Sequence, residues 1–321
     1  MSSKAEAVLI FGATGLVGKY ITDAILNSAA DFRRIAIFTS QDSLKTKGEA
    51  IAKLKSRGAE VILGDVNSAE DVTRAFNGFD TVVSCLGRAV LQSQILLAQL
   101  ADKHPDVKRF FPSEYGTDIE YGPSSATEKP HQLKLKVRAE IRQLKNLEYT
   151  FIVTGPYANA DFGLYFGATP PERENTGTFN VKQKKAVLLG TGNDEISFTT
   201  MHDTGRFVAA ALKNLKDTRN RALIINSFTT TPKQIVAEYE RQTGAKPWDV
   251  SVTNLEELKK LEAEGWAKGD PMAGATTLKR IWTEGGTLYD HNDNAVLGLD
   301  GRTDTLEDAV RDAIKWQTEN A

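Results

Sequence analysis

A doubly wound, parallel α/β sheet is the fold this 321-residue sequence predicts, and three observations carry the prediction. An apolar, β-branched run, Val8-Leu9-Ile10-Phe11, breaks at Gly12-Ala13-Thr14-Gly15-Leu16-Val17-Gly18 and passes into helical apolar spacing at Tyr20, Ile21, Ala24 and Ile25. Strand-like runs then alternate with helical segments through residue 155, the pattern of a parallel sheet covered on both faces, the Rossmann arrangement. The chain is 40% hydrophobic and 26% charged with a net charge of −2, which supports a large core and argues against disorder and a nucleic-acid-binding surface.

In the first unit, Gly12 permits a tight turn, Gly15 lets the backbone approach a pyrophosphate, and Gly18 allows the helix to pack on the sheet. Unpaired N–H groups and the positive dipole end of that helix favour an anion. Gly12, Thr14, Gly15, Leu16, Val17 and Gly18 are therefore candidate cofactor-binding residues, the alternative being a purely structural β-to-α turn.

Arg34 to Phe38 reads as the second strand. No acid stands at its end to take a ribose 2′-hydroxyl, and the chain runs Thr39-Ser40-Gln41-Asp42-Ser43-Leu44-Lys45. Thr39 and Ser40 suit a 2′-phosphate, with Lys45 or Lys47 to neutralise it, so NADP is favoured over NAD; the alternative is a solvated loop. A helix over Gly48 to Arg57 precedes a strand over Glu60 to Leu63, after which Asp65 is either an adenine contact or a turn residue. Ser68 with Asp71 caps a helix through Phe76. The fourth strand, Thr81 to Gly87, should border the cofactor with Ser84, Cys85, Leu86 and Gly87, and Cys85 reads as an inert core thiol. A helix over Leu91 to Lys103 leads to a strand beginning at Val107.

Tyr149 to Thr154 is a further strand, ending at Gly155-Pro156. Its end should open over the nicotinamide, making Gly155 and Pro156 cofactor candidates and Tyr157, Asn159, Phe162 and Tyr165 substrate-pocket candidates, with plain core as the alternative. Gly177 to Leu189 alternates like a hairpin, and His202-Asp203 is expected to cap a helix through Leu212, with His202 either a proton shuttle or a structural residue. Ala222 to Asn226 suggests a strand, Thr231-Pro232 starts a helix, and Asn254 with Glu257 caps another. Trp266, Trp282 and Tyr289 read as core of a small lobe, and Glu307 to Gln317 as a closing helix with Ala309, Val310, Ile314 and Trp316 inward. With no long linker or repeat, the expected division is residues 1–155 for dinucleotide binding and 156–321 mainly for a smaller, interwoven C-terminal substrate lobe that also returns strands and helices to the first body.

The one cysteine excludes an intrachain disulfide and a cysteine-based zinc site, and no metal site is expected. Met1 to Glu6 has no apolar signal region and no apolar run approaches the roughly 20 residues of a membrane helix, so no membrane partner and a cytoplasmic location are expected.

Val107-Lys108-Arg109-Phe110-Phe111-Pro112-Ser113-Glu114-Tyr115-Gly116 closely resembles the K-R-F-x-P-S-E-[FY]-G segment of the isoflavone reductase-like proteins. These include phenylcoumaran benzylic ether and pinoresinol-lariciresinol reductases, and are atypical short-chain dehydrogenases related to NmrA-like regulators. The GATGLVGK opening with its GxxGxxG spacing, the VVSCLG run and the helix His131-Gln132-Leu133-Lys134-Leu135-Lys136-Val137-Arg138 are similar to theirs. Beyond about residue 160 the clearest echo is Thr200 to Gly205. The Tyr-x-x-x-Lys pair of ordinary short-chain dehydrogenases is missing, since none of the eight tyrosines has lysine four residues later.

The resemblance implies an NADPH-dependent reductase of an aromatic, phenylpropanoid- or isoflavonoid-like small molecule. It places the acid/base role on Lys134, a lysine able to exchange a proton at ordinary pH once desolvated. Helical geometry alone leaves Lys134 and Lys136 flanking the apolar stripe Leu133, Val137, Ile141 and Leu144 on opposite sides, so either reaches a cleft. Ser113, Glu114 and Tyr115 stand at a strand end where a site is expected and, with Lys134, are further cofactor-binding candidates, Glu114 alternatively as a structural anchor. Two rival functions are an NmrA-like NAD(P)-sensing regulator without catalysis and a quinone or carbonyl reductase.

Overall fold

Period-two alternation sends the side chains of β1 (Ala7–Phe11) into two cores, Val8 and Ile10 into one and Ala7, Leu9 and Phe11 into the other. All five are fully buried, which is why this strand reads as continuously apolar. The computed structural model describes residues 4–161, 165–244 and 247–320.

The later strands are β2 (Arg34–Thr39), β3 (Glu60–Leu63), β4 (Thr81–Ser84), β5 (Arg109–Phe111), β6 (Glu148–Val153), β7 (Thr178–Asn180), β8 (Lys185–Leu189), β9 (Ile196–Phe198), β10 (Arg221–Ile224), β11 (Phe228–Thr230) and β12 (Asp249–Thr253). The helices are α1 (Gly18–Asn27), α2 (Gln41–Thr46), α3 (Gly48–Ser56), α4 (Ala69–Ala75), α5 (Ser93–Lys103), α6 (Gln132–Gln143), α7 (Met201–Lys213), α8 (Leu215–Thr218), α9 (Pro232–Thr243), α10 (Leu255–Ala267), α11 (Ala273–Thr283) and α12 (Leu306–Glu319). Seven strands form one parallel sheet in the order β3-β2-β1-β4-β5-β6-β10. Ile21 and Ile25 of α1 and Phe207, Val208 and Leu212 of α7 cover one face, while Val72 of α4, Leu97 of α5 and Val137 and Ile141 of α6 cover the other. The chain therefore winds outward from β1 in both directions, and a crevice opens beyond the C-terminal ends of the neighbouring strands β1 and β4, where the winding direction switches.

The C-terminal half contributes to this body as well as to a lobe of its own. β10 pairs with β6, and α7 lies against α1 at Gly205, where a Cβ would stand 2.4 Å from the Tyr20 carbonyl oxygen. Helix propensity alone would make Gly205→Ala stabilising by about 1 kcal/mol. The neighbour here is backbone and cannot swing away, so a net loss of about 1–2 kcal/mol is expected in chemical denaturation; a gain in stability would show that the two helices separate freely.

In the lobe, β7 is antiparallel to β8 and β12 parallel to it, β9 pairs with β11, and Phe166, Phe179, Phe198, Tyr239 and Trp282 build a third core. Several local expectations change. The stretch after β2 is helix α2, because the Ser40 hydroxyl accepts the Ser43 N–H at 3.0 Å. The cap of α7 is Thr200, whose hydroxyl accepts the Asp203 N–H at 3.0 Å, rather than His202-Asp203. Trp316 is 39% exposed, and the inward face of α12 is Ala309, Val310 and Ala313, with Ile314 packed against the same core as expected. Among the described residues no helix is long and apolar enough to cross a membrane.

Candidate active site

The glycine turn closes β1 onto α1 by steric necessity. Gly12 has φ +75°, and a Cβ there would lie 2.5 Å from the Cys85 carbonyl oxygen. A Cβ on Gly18 would lie 2.1 Å from the Gly12 carbonyl oxygen, so only glycine lets the helix start this close to the turn. The Gly15 N–H donates to the Gly12 carbonyl at 2.9 Å. Gly15, Leu16 and Val17 then open into a cleft of about 520 Å³ over the strand ends.

The same cleft is lined by Cys85, Leu86 and Gly87 after β4, by Ser113, Glu114, Tyr115 and Gly116 after β5, and by Gly155, Pro156 and Tyr157 after β6. Lys134 lines it from α6, whereas Lys136 is exposed and takes no part in the lining. The alternative that helical geometry left open is thus decided by placement. Ser113 is spent on tying strand ends together: its hydroxyl donates to the Leu86 carbonyl at 2.9 Å and its N–H to Gln94 Oε1 at 2.6 Å.

Other expected site residues lie elsewhere. Gly12, Thr14, Gly18 and the fully buried Ser84 stand behind the lining, where they shape the turn and strand β4. Thr39, Ser40 and Lys45 lie outside the cleft; Ser40 serves as the α2 cap and Lys45 is exposed in its last turn. The lysine that reaches the glycine turn is Lys47, whose Nζ donates to the Thr14 carbonyl at 3.2 Å. Asp65 is a turn residue, accepting the Asn67 N–H at 2.9 Å.

Asn159 and Tyr165 do not line the cleft. The Asn159 amide oxygen accepts the Met201 N–H at 2.8 Å, holding the start of α7, and Tyr165 packs edge-on against Phe198 at 4.9 Å in the third core. Phe162 lies outside the described residues. His202 is exposed, with Nδ1 3.2 Å from Asp304 Oδ2, and it too is absent from the lining.

Charge is distributed unevenly around the cleft. The Lys134 ammonium donates to the Glu114 carbonyl and is partly buried. Burial lowers its pKa to about 8, with the Arg88 and Arg138 guanidiniums acting in the same direction against the Glu114 carboxylate. The Glu114 carboxylate points away, to a buried Arg138 at 2.9 Å, which also meets Glu120 at 2.6 Å and lies over the Phe151 ring at 4.7 Å. Tyr115 holds an unusual φ of +25°, and its carbonyl accepts from the buried Tyr157 hydroxyl. Burial pushes the Cys85 thiol up to about 12, leaving it protonated and unreactive.

The cleft is also lined by residues that sequence reasoning did not place in the site: Arg88, Leu91, Thr117, His131, Met272, Leu278 and Trp282. Trp282, expected as plain core, is buried but reaches the cleft, and its indole N–H donates to Thr117 Oγ1 at 2.7 Å. His131 and Pro130 immediately precede α6, and their helical spacing from Lys134 was the available signal. Met272, Leu278 and Trp282 belong to a stretch around α11 whose glycines mask its helical period.

Comparison with known proteins places this geometry. The chain is 28% identical over 267 residues to an isoflavone reductase homolog of Solanum tuberosum and 27% identical over 266 residues to the phenylcoumaran benzylic ether reductase Pyrc5 of Pyrus communis, covering 82% of each chain in both cases. The leucoanthocyanidin reductase of Vitis vinifera, solved as a binary complex with NADPH, shares the fold with a TM-score of 0.79 at 20% identity, over 96% of this chain and 99% of that one. The NmrA-like family model matches from residue 4 to residue 279, and with the parallel sheet and glycine turn described above the chain belongs to the NmrA-like family.

Proposed function

We propose that this protein is an NADPH-dependent reductase of a small aromatic, phenylpropanoid-like molecule, with Lys134 as the proton donor. The observation that carries the reading is a desolvated lysine, its pKa lowered to about 8, in a cleft at the ends of β1, β4, β5 and β6. The residues present suit a dinucleotide: Gly12 and Gly18 let the turn close tightly onto the helix, Gly15 meets the cleft without a side chain, and the residues leading into α1 line the same space. The reductases named among the relatives and the NADPH complex of the structural neighbour support the same cofactor.

NADPH, when bound, supplies the hydride. Leu91, Leu278 and Trp282 present an apolar wall that accepts an aromatic ring and excludes water, while Lys134 holds a proton for the oxygen or carbon centre that becomes basic on reduction. Lys47, anchored on the Thr14 carbonyl beside the glycine turn, would supply the cation for a ribose 2′-phosphate.

The test is NADPH oxidation by the purified protein against enones, quinones and lignan-type aromatics, with NADPH and NADH affinities measured alongside. Turnover of aromatic substrates is expected, together with tighter NADPH binding. Lys47→Ala should weaken NADPH by about tenfold, or about 1.4 kcal/mol, and leave NADH unchanged. Tight NADPH binding without turnover of any compound would replace this reading with that of a nucleotide sensor.

A further inference from the structure

His131 precedes Lys134 by three residues, places its ring on the same side at the start of α6, and lines the same cleft. The residue is 2% exposed. Ser125 Oγ lies 3.0 Å from its Nδ1 and donates to the Ile119 carbonyl. A hydroxyl has one proton, and with that proton on Ile119 the oxygen accepts from Nδ1–H. The imidazole is thereby held in the Nδ1–H tautomer, and Nε2 carries a lone pair. That Nε2 is buried and has no hydrogen-bond partner among the described residues. Burial lowers the His131 pKa to about 4, outweighing the Ser125 backbone bond that favours the proton, and Lys134, Arg88 and Arg138 add to the lowering. The ring is neutral, and an acceptor, at ordinary pH.

A buried acceptor beside a substrate cleft is costly unless the bound molecule donates to it. We propose that His131 is a specificity-determining residue, its Nε2 accepting a hydrogen bond from a hydroxyl group of the bound aromatic substrate. The assignment rests on the reductase reading above. It pairs an acceptor at His131 with a donor at Lys134 Nζ in one cleft, so the site selects for a hydroxylated ring rather than for apolar surface alone. An otherwise identical molecule lacking the hydroxyl leaves Nε2 unpaired and is rejected.

The experiment titrates chalcone and the monohydroxychalcones into protein loaded with NADP⁺, which cannot deliver hydride to them, following tryptophan fluorescence, for wild type, H131F and H131Q. NADPH affinity is measured first in all three and serves as the test of folding. Wild type is expected to prefer the best monohydroxychalcone over chalcone by about tenfold or more. H131F, which keeps a ring of similar size but no acceptor, should bring that ratio close to one while binding chalcone at least as tightly as wild type. H131Q, with a side-chain oxygen able to accept near the Nε2 position, should retain a ratio above that of H131F. Equal affinities in wild type, equal ratios in the two variants, or failure of every chalcone to bind alongside bound NADP⁺ would overturn the role of His131. Absence of NADPH binding by wild type would overturn the cofactor reading itself, which separates the two failures.

Discussion

Replacing Lys134 with methionine is expected to lower kcat by about 10²- to 10⁴-fold, the range general acid catalysis contributes, with NADPH affinity within a few-fold of wild type. Methionine keeps the length and apolar stem, so the loss reports the proton and not the packing. The pH dependence sharpens the expectation. Burial lowers the Lys134 pKa from the ordinary lysine value to about 8. The protonated form that donates is present below that pH, so kcat should hold at neutral pH and fall as pH rises through about 8. In K134M this limb should disappear. A limb that persists in the variant would assign the titration to another group, and near-normal turnover would remove Lys134 from the chemistry.

Arg138→Leu is expected to destabilise the fold by about 3–5 kcal/mol, because the substitution leaves the Glu114 carboxylate buried without its main partner. The arginine and glutamate side chains are 1% and 3% exposed, so solvent cannot replace the lost charge. The Phe151 ring beneath the guanidinium loses its cation contact as well. The double variant E114L/R138L removes both charges and should recover much of the loss, as measured by chemical denaturation. If R138L costs less than about 1 kcal/mol, the carboxylate has been accommodated by Lys134 or by water. R138L also removes a guanidinium that holds the Lys134 pKa down, so the alkaline limb of the kcat profile is expected to move upward.

These two residues also show where sequence reading succeeds and where it stops. The spacing Leu133, Val137, Ile141, Leu144 marks a helix with a buried side, and α6 carries Val137 and Ile141 into the core as that period requires. Yet Arg138, a charged residue, is buried beside them, because carboxylates from a different strand end neutralise it. No local pattern announces that partner. Asn159 and Tyr165 illustrate the opposite error: proximity in sequence to Tyr157 suggests a shared pocket, but hydrogen bonding to the α7 start takes one away and aromatic packing in the lobe takes the other. The short strands β9, β11 and β12 escaped notice because three to five residues hold too few alternations to establish a period.

By itself the sequence determined the strand–turn–helix unit around Gly12, Gly15 and Gly18 and the alternation that makes a parallel sheet. Both rest on short-range sterics and periodicity, which neighbouring residues impose on one another. Only the tertiary structure decided that Lys134 faces the cleft while Lys136 faces out, that Lys47 reaches the glycine turn, and that α11 supplies a wall with Trp282. Those placements depend on how far-separated elements dock. The packing of α6 and α11 over the strand ends is set by contacts between segments more than a hundred residues apart, such as Trp282 with Thr117, and local propensity carries no record of them.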